Sequence, residues 1–464
     1  MSKGKGAKAA QLLQEGFRLH QEGRLDEAEQ KYRLVLAMAP NVPDALNLLG
    51  VIRRSKGDRE GAIRLLEKAV TLAPKLIAAW RNYGNALFDF GAFARAAEAF
   101  EQELSLDPNR DDAWCALGRA RKLMEDLPGA VTAFDRAIAL APNNDLYPFE
   151  RSLARLMLGD YAAGWEDYET RWLQPHLRPH RKTLPQPEWQ GEPIPGKRLF
   201  VMAEQGFGDA FQFVRFAPLL AEQGVRVIIA APNELNGVLA TLPGIEQFYV
   251  SGDILPPFDL YCNMLSLPRL MRCRPETIPA NIPYLFAAPN LVEEWKQRLG
   301  PRNESLRVGL IWAGRPTFSE DHRRSPRFET FLQLLKVPGV AFYGLQVGDG
   351  RRDLENRTLP PNFTDIGAEI RGFEDTAAIM SHMDVIISSC TGPAHLAGAL
   401  GRPLWVVLSD AADWRWFRKR EDSPWYPSAR LFRQKQLGDW SPVIQKVADS
   451  LSNLTLDNKI QPKS

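Results

Sequence analysis

The chain has 464 residues, 45% of them hydrophobic and 25% charged. That composition can bury a sizeable core, and at about 150 residues per domain the length suggests roughly three domains. Lys plus Arg (58) nearly balances Asp plus Glu (56), which argues against a dedicated nucleic-acid binder and favours an enzyme or a partner-binding protein.

Residues 1–172 carry an internal period. Pro40, Pro74, Pro108 and Pro142 are 34 residues apart, as are Gly16, Gly50, Gly84 and Gly118, and Ala28, Ala62, Ala96 and Ala130. That is the period of the tetratricopeptide repeat, a pair of antiparallel helices stacked into a solenoid. The spacing places each glycine where two helices cross and each alanine opposite it. Each proline falls just past a second helix, where no further helical amide is needed. Turns such as Lys56-Gly-Asp58 separate the helices, and Tyr32, Trp80, Phe100, Trp114 and Phe134 fill the spaces between them.

A fifth unit is degraded. Leu153 to Gly159 and Tyr161 to Tyr168 still read as helix, turn and helix, but Gly164 holds the alanine position and no proline closes the unit. Terminal repeats cap the stack or dock onto the next domain. The aromatic run Trp165, Tyr168 and Trp172 favours docking. Across the array, Asn47, Arg54, Arg81, Asn85, Arg119 and Lys122 are expected to point into the concave groove, either as a peptide-binding surface or as a solvated polar face.

Residues 173–196 are proline-rich and read as a linker or extended arm. Beyond them, apolar runs of strand type alternate with amphipathic stretches, the pattern of βα units in parallel sheets. In the first set (197–290), strands are expected at 198–203, 226–231, 247–250 and 260–264, with helices at 209–223 and 235–242. Residues 291–306 read as a connector. In the second set (307–438), strands at 307–313, 340–346, 384–388 and 404–408 alternate with helices at 328–335 and 376–383. Residues 439–464 read as a C-terminal helix and a polar tail, disordered from about 457. Two doubly wound domains in series would bind ligand in the cleft between them, at strand carboxyl ends.

Several segments could carry chemistry. Glu204-Gln-Gly206-Phe-Gly208-Asp209 lies between a strand and a helix, where glycines admit a ligand to the backbone and the helix start favours an anion. Asp209 is there either a helix cap or a base beside a sugar hydroxyl. Ser389-Cys390-Thr391-Gly392-Pro-Ala-His395 repeats the geometry and reads as a diphosphate cradle, with His395 either a contact or a filler of a polar pocket. Cys390 reads as a buried thiol. Trp312-Ala-Gly314-Arg315, followed by Asp321-His-Arg323-Arg324-Ser325, offers positive charge to phosphate oxygens. Trp312, Trp414 and Trp425 are expected either to stack on a base or sugar or to anchor loops. Neither the four dispersed cysteines nor the six histidines make a disulfide or zinc pattern, so no metal is expected. With no stretch of 18 uncharged apolar residues and no apolar leader after the basic start, the expected compartment is the cytoplasm.

Jointly these segments resemble bacterial tetratricopeptide-repeat proteins whose C-terminal part is similar to the lipopolysaccharide heptosyltransferases. The resemblance is carried by Pro187-Glu-Trp189, Ala203-Glu-Gln-Gly-Phe-Gly-Asp209, Trp312-Ala-Gly314, Thr391-Gly392, His395-Leu-Ala-Gly-Ala-Leu-Gly401, Asp413-Trp-Arg-Trp416 and Glu421-Asp-Ser-Pro-Trp-Tyr-Pro427. It implies a GT-B fold, two Rossmann-like domains facing a cleft, and inverting sugar transfer from a nucleotide-sugar without metal or cofactor. It also implies Asp209 as base, Thr391 and Gly392 as matches to the family's phosphate-contacting run, and Arg324 near its basic phosphate contact; the loop readings add Gly206, Gly208 and His395 to the expected phosphate site. Cys390 departs from the aspartate usual at that position. The arrangement also resembles the protein O-linked N-acetylglucosamine transferases, which implies a protein or peptide acceptor in the groove. A non-catalytic scaffold with a decayed transferase half is the alternative. An NAD-type oxidoreductase is discounted, because no acidic residue stands about 20 residues after the glycine turn.

Overall fold

The computed structural model describes residues 3–175, 177–302, 304–318, 321–410, 412–436 and 438–460. The chain forms two compact units: residues 1–158 with 170–175, and residues 159–169 with 176–464. His176 lies outside the described residues.

The first unit is a stack of antiparallel helices: α1 (Lys3–Gln21), α2 (Leu25–Met38), α3 (Pro43–Ser55), α4 (Arg59–Leu72), α5 (Ile77–Phe90), α6 (Phe93–Leu106), α7 (Asp111–Leu123), α8 (Leu127–Leu140) and α9 (Leu146–Leu158). The period explains the packing, with one amendment. The alanines are fully buried, yet the atoms that meet the crossing glycines belong to a large residue one helical turn further on. A Cβ at Gly50 would lie 2.6 Å from Leu66, one at Gly84 2.5 Å from Phe100, and one at Gly118 2.7 Å from Phe134. The turn between paired helices uses left-handed Gly23, Gly57 and Gly91, but the equivalent position in the fourth unit is Glu125, with φ of 65°.

The degraded repeat is divided between the units. Its second helix, α10 (Tyr161–Tyr168), capped by Asp160 on the Ala163 amide, belongs to the second unit, where Tyr161, Trp165 and Tyr168 are buried. Trp165 meets Trp414 edge-on at 5.2 Å and Phe213 at 6.0 Å. The docking expectation thus holds for Trp165 and Tyr168, while Trp172 is buried in the segment that belongs with the array.

The second unit contains two wholly parallel sheets. Strands β1 (Arg198–Met202), β2 (Arg226–Ala230), β3 (Gln247–Tyr249) and β4 (Leu260–Asn263) make a sheet of order 3-2-1-4. The first expected helix is divided into α11 (Phe207–Phe213) and α12 (Phe216–Glu222); two short helices follow, α13 (Asn236–Leu239) and α14 (Leu267–Leu270). The proline-rich arm is pinned to this sheet, since the Trp189 amide donates to the Tyr261 carbonyl at 2.9 Å. The expected connector is instead a helix, α15 (Pro289–Leu299), whose Trp295 is buried and donates its indole N–H to Asp375 Oδ1 at 2.9 Å.

Strands β5 (Leu306–Ile311), β6 (Val340–Gly344), β7 (Phe363–Asp365), β8 (Val385–Ser389), β9 (Leu404–Leu408) and β10 (Ala429–Arg433) form the second sheet, of order 10-9-8-5-6-7. Between them run α16 (Asp321–Arg324), α17 (Arg327–Phe331), α18 (Phe373–Met380) and α19 (Gly392–Ala399), followed by α20 (Ser441–Ile460). Central β5, β8 and β9 are buried along their whole length, which is why they read as largely apolar runs. Edge strands β7 and β10 escaped the sequence reading: one is very short, and the other carries two arginines among its five residues. α20 is helical to Ile460, past the point expected to be disordered, and residues 461–464 lie outside the described residues. No described helix is long and apolar enough to cross a membrane.

Candidate functional site

Each parallel sheet reverses its strand order once, between β1 and β4 and between β5 and β8. Ligands of such sheets bind outside the strand carboxyl ends at these switch points. The 203–209 loop leaves β1 there, and the 390–392 loop leaves β8. Helices α11 and α19, which follow them, pack against each other.

Asp209 occupies the third position of α11. Its Oδ2 accepts the Gly206 amide at 2.9 Å, which closes the helix start, and its Oδ1 accepts Arg415 Nη2 at 2.5 Å. The cap reading is therefore seen, in a carboxylate that stands at a switch point. Burial pushes the Asp209 pKa above the ordinary aspartate value, against the opposing pull of Arg415 and the Gly206 amide. Gly206 is exposed with its amide engaged. Gly208 serves the helix contact: a Cβ there would lie 2.8 Å from the His395 ring and 3.3 Å from the Gly392 Cα.

On the other loop, Thr391 is buried and its hydroxyl donates to the Ser389 carbonyl at 3.3 Å. The hydroxyl is thus spent inside the turn, which leaves the start of α19 at Gly392 as the group that could meet an anion. His395 stacks on Trp416 at 5.2 Å, and its Nδ1 lies 2.9 Å from the Tyr426 hydroxyl. Burial lowers its pKa to about 3, with Arg415 adding to the shift, so the ring is neutral near pH 7. The neutral ring thus packs between Trp416 and Tyr426 at the start of α19. Cys390 Sγ accepts the Trp416 indole N–H at 3.0 Å, and burial raises the thiol pKa to about 11.

The third loop follows β5. Arg324 donates Nε to Asp321 Oδ1 at 3.0 Å, lies over the Phe318 ring at 4.4 Å, and its charge acts on Cys390 and His395. Arg315 reaches across to the Phe207 ring of α11 at 5.7 Å. The structure therefore brings together Asp209, Gly206, Gly208, Arg324, Thr391, Gly392 and His395. It corrects the stacking expectation. Trp312 and Trp425 are fully buried and Trp414 is 2% exposed, so none offers a ring face to a base or sugar.

The groove expectation is also corrected in part. Asn47 is buried and accepts from Asn82 Nδ2 at 2.9 Å, while Arg81 forks onto buried Glu103 of α6 at 2.6 and 2.9 Å. Both are structural, because helical spacing alone does not separate a groove residue from one turned towards the neighbouring helix. Arg54 pairs with Asp89, and Lys122 with Glu150. Asn85 is half-buried, and Arg119 is half-exposed over the Phe88 ring.

Two arginines went unrecognised in the sequence. Arg215 is buried and donates to the carbonyls of Trp425 and Pro279 and to the Tyr284 hydroxyl, at 2.6, 3.0 and 2.8 Å. Arg415 is the other. Its position between two tryptophans, two residues after an aspartate, was the available signal.

Residues 18–77 and 77–120 match the tetratricopeptide repeat family, so this part of the chain consists of tetratricopeptide repeats. Over 465 aligned residues the chain is 27% identical to Protein FlbA of Caulobacter vibrioides, covering 93% of this chain and 71% of that protein. Among solved structures, MamA from Desulfovibrio magneticus RS-1 is similar at 20% identity and a TM-score of 0.34, covering 38% of this chain and 98% of its own. YrrB, described as a tetratricopeptide protein with an unusual peptide-binding site, is similar at 15% identity and a TM-score of 0.34, covering 36% and 89%.

Proposed function

We propose that the α/β unit transfers a sugar from a nucleotide-sugar to an acceptor hydroxyl, with inversion, without a metal, and in the manner of GT-B enzymes. We further propose that the repeat array recruits a protein or peptide acceptor, with Asn85 and Arg119 as groove contacts. The observation that carries the first reading is the meeting of two switch-point loops, which brings a desolvated carboxylate, Asp209, beside Arg415 and the start of α19, with the Arg324 charge acting on Cys390 and His395 of the second loop. In this reading Asp209 takes the proton from the acceptor hydroxyl as its oxygen attacks the anomeric carbon, and the nucleoside diphosphate leaves from the opposite face. Arg324 and the Gly392 end of α19 balance the charge that develops on the diphosphate.

The test is Asp209→Asn, which keeps size and capping geometry while removing the base. Transfer should fall by about 10²–10⁴ in a variant that still melts cooperatively, at a temperature lowered by the loss of the Arg415 pair; a fully active variant rules out Asp209 as the base. A nucleotide-sugar at about 100 times its Kd should stabilise the native chain by about 2.7 kcal/mol. A second reading, a non-catalytic scaffold, is favoured by the tight approach of Gly208 to Gly392 and by Cys390 at the position of the expected aspartate. Calorimetry without heat for any common donor supports that alternative.

A further inference from the structure

The Asp413-Trp-Arg-Trp416 segment follows β9, and both of its indoles are buried. Its part in the site falls to the residue between them. Arg415 Nη1 donates to Asp413 Oδ1 at 2.9 Å, and that oxygen also accepts the Arg415 backbone amide at 2.9 Å. The Trp414 ring lies against the guanidinium, 4.3 Å from its central carbon. Held by its own segment on these sides, the guanidinium turns Nη2 to Asp209 Oδ1, which comes from the other sheet's first helix.

We propose that Arg415 is a positioning residue for Asp209: it fixes one carboxylate oxygen, aims the remaining lone pairs of Asp209 at the acceptor hydroxyl, and keeps the carboxylate ionised until it takes the proton. The inference rests on the reading of Asp209 as base. Arg415 serves two carboxylates, Asp209 and Asp413, whose surroundings push them apart. Burial raises both, but for Asp413 the guanidinium and the Arg415 amide outweigh it and hold the acid below its usual range, whereas Asp209 ends above. Such a divided pair gives one lasting counter-ion and one group poised to accept a proton. The other titratable groups that bear on the pair include Tyr168 and Tyr161 of α10, the Cys390 thiol, and neutral His395 of α19.

The experiment uses the full chain with ¹³C-labelled aspartate carboxyls. The resonance lost in Asp209→Asn identifies Asp209, and its midpoint should rise by about one pH unit or more in Arg415→Gln, with Arg415→Lys between. An unmoved midpoint overturns the proposal, whatever turnover does. With a nucleotide-sugar, Arg415→Gln should lower kcat at unchanged donor KM and carry the acid limb of kcat upward by the same shift, which Arg415→Lys partly restores. A melting temperature that falls while the limb stays in place marks a structural role and refutes positioning. Should the wild-type chain transfer no sugar from any donor, the functional reading fails and the positioning role falls with it, while the carboxyl titration still decides whether Arg415 governs the protonation of Asp209.

Discussion

Removing α10 from the α/β unit provides a sharp test of the packing. Tyr161, Trp165 and Tyr168 are 1%, 2% and 3% exposed, within a cluster that includes Trp414, Trp425 and Phe213. Aromatic side chains bury about 150–250 Å² each, so the three together withdraw on the order of 600 Å² from water. At about 25 cal/mol per Å² that is about 15 kcal/mol, or roughly 9–13 after allowance for a compact unfolded chain. Domains are stable by about 5–15 kcal/mol, so the loss equals most or all of that margin. A fragment starting at residue 159 should therefore melt cooperatively, whereas one starting at residue 173 should show no cooperative transition by circular dichroism or urea titration. In the full chain, Trp165→Ala should cost about 3–5 kcal/mol. If the fragment from 173 melts within a few degrees of the one from 159, the burial argument is wrong and α10 belongs functionally to the array.

Three further outcomes follow from single sites. Glu125 adopts a left-handed conformation that costs an L-residue roughly 1–2 kcal/mol, so Glu125→Gly should stabilise the array by about 0.5–1 kcal/mol after glycine's entropy is subtracted; a lower melting temperature refutes this. Gly208→Ala places a Cβ 2.8 Å from His395 and should destabilise the α/β unit by about 1–3 kcal/mol, which urea denaturation measures. His395 is neutral in the native state down to about pH 3 and takes a proton near its ordinary value once unfolded. Stability should therefore fall as pH drops from about 6.5 towards 3, by about 1.4 kcal/mol per unit from this residue. His395→Gln should flatten that slope, and an unchanged slope refutes the assignment.

The sequence by itself determined the repeat array, because the 34-residue period reflects a close approach that every helix pair must repeat. It also determined the parallel sheets, since buried central strands must be apolar on both faces, and the two glycine loops at their carboxyl ends. Edge strands and the boundary inside the fifth repeat were not legible, for α10 keeps the helical pattern of a repeat whichever body it packs against. Only tertiary structure decided which polar residues face a cleft. Periodicity placed Asn47 and Arg81 on the groove side, but partners on neighbouring helices drew them inward. The same limit hid Arg415. Its carboxylate partner Asp209 is 206 positions away, a separation at which local pattern carries no information and only the meeting of α11 with α19 brings the charges together.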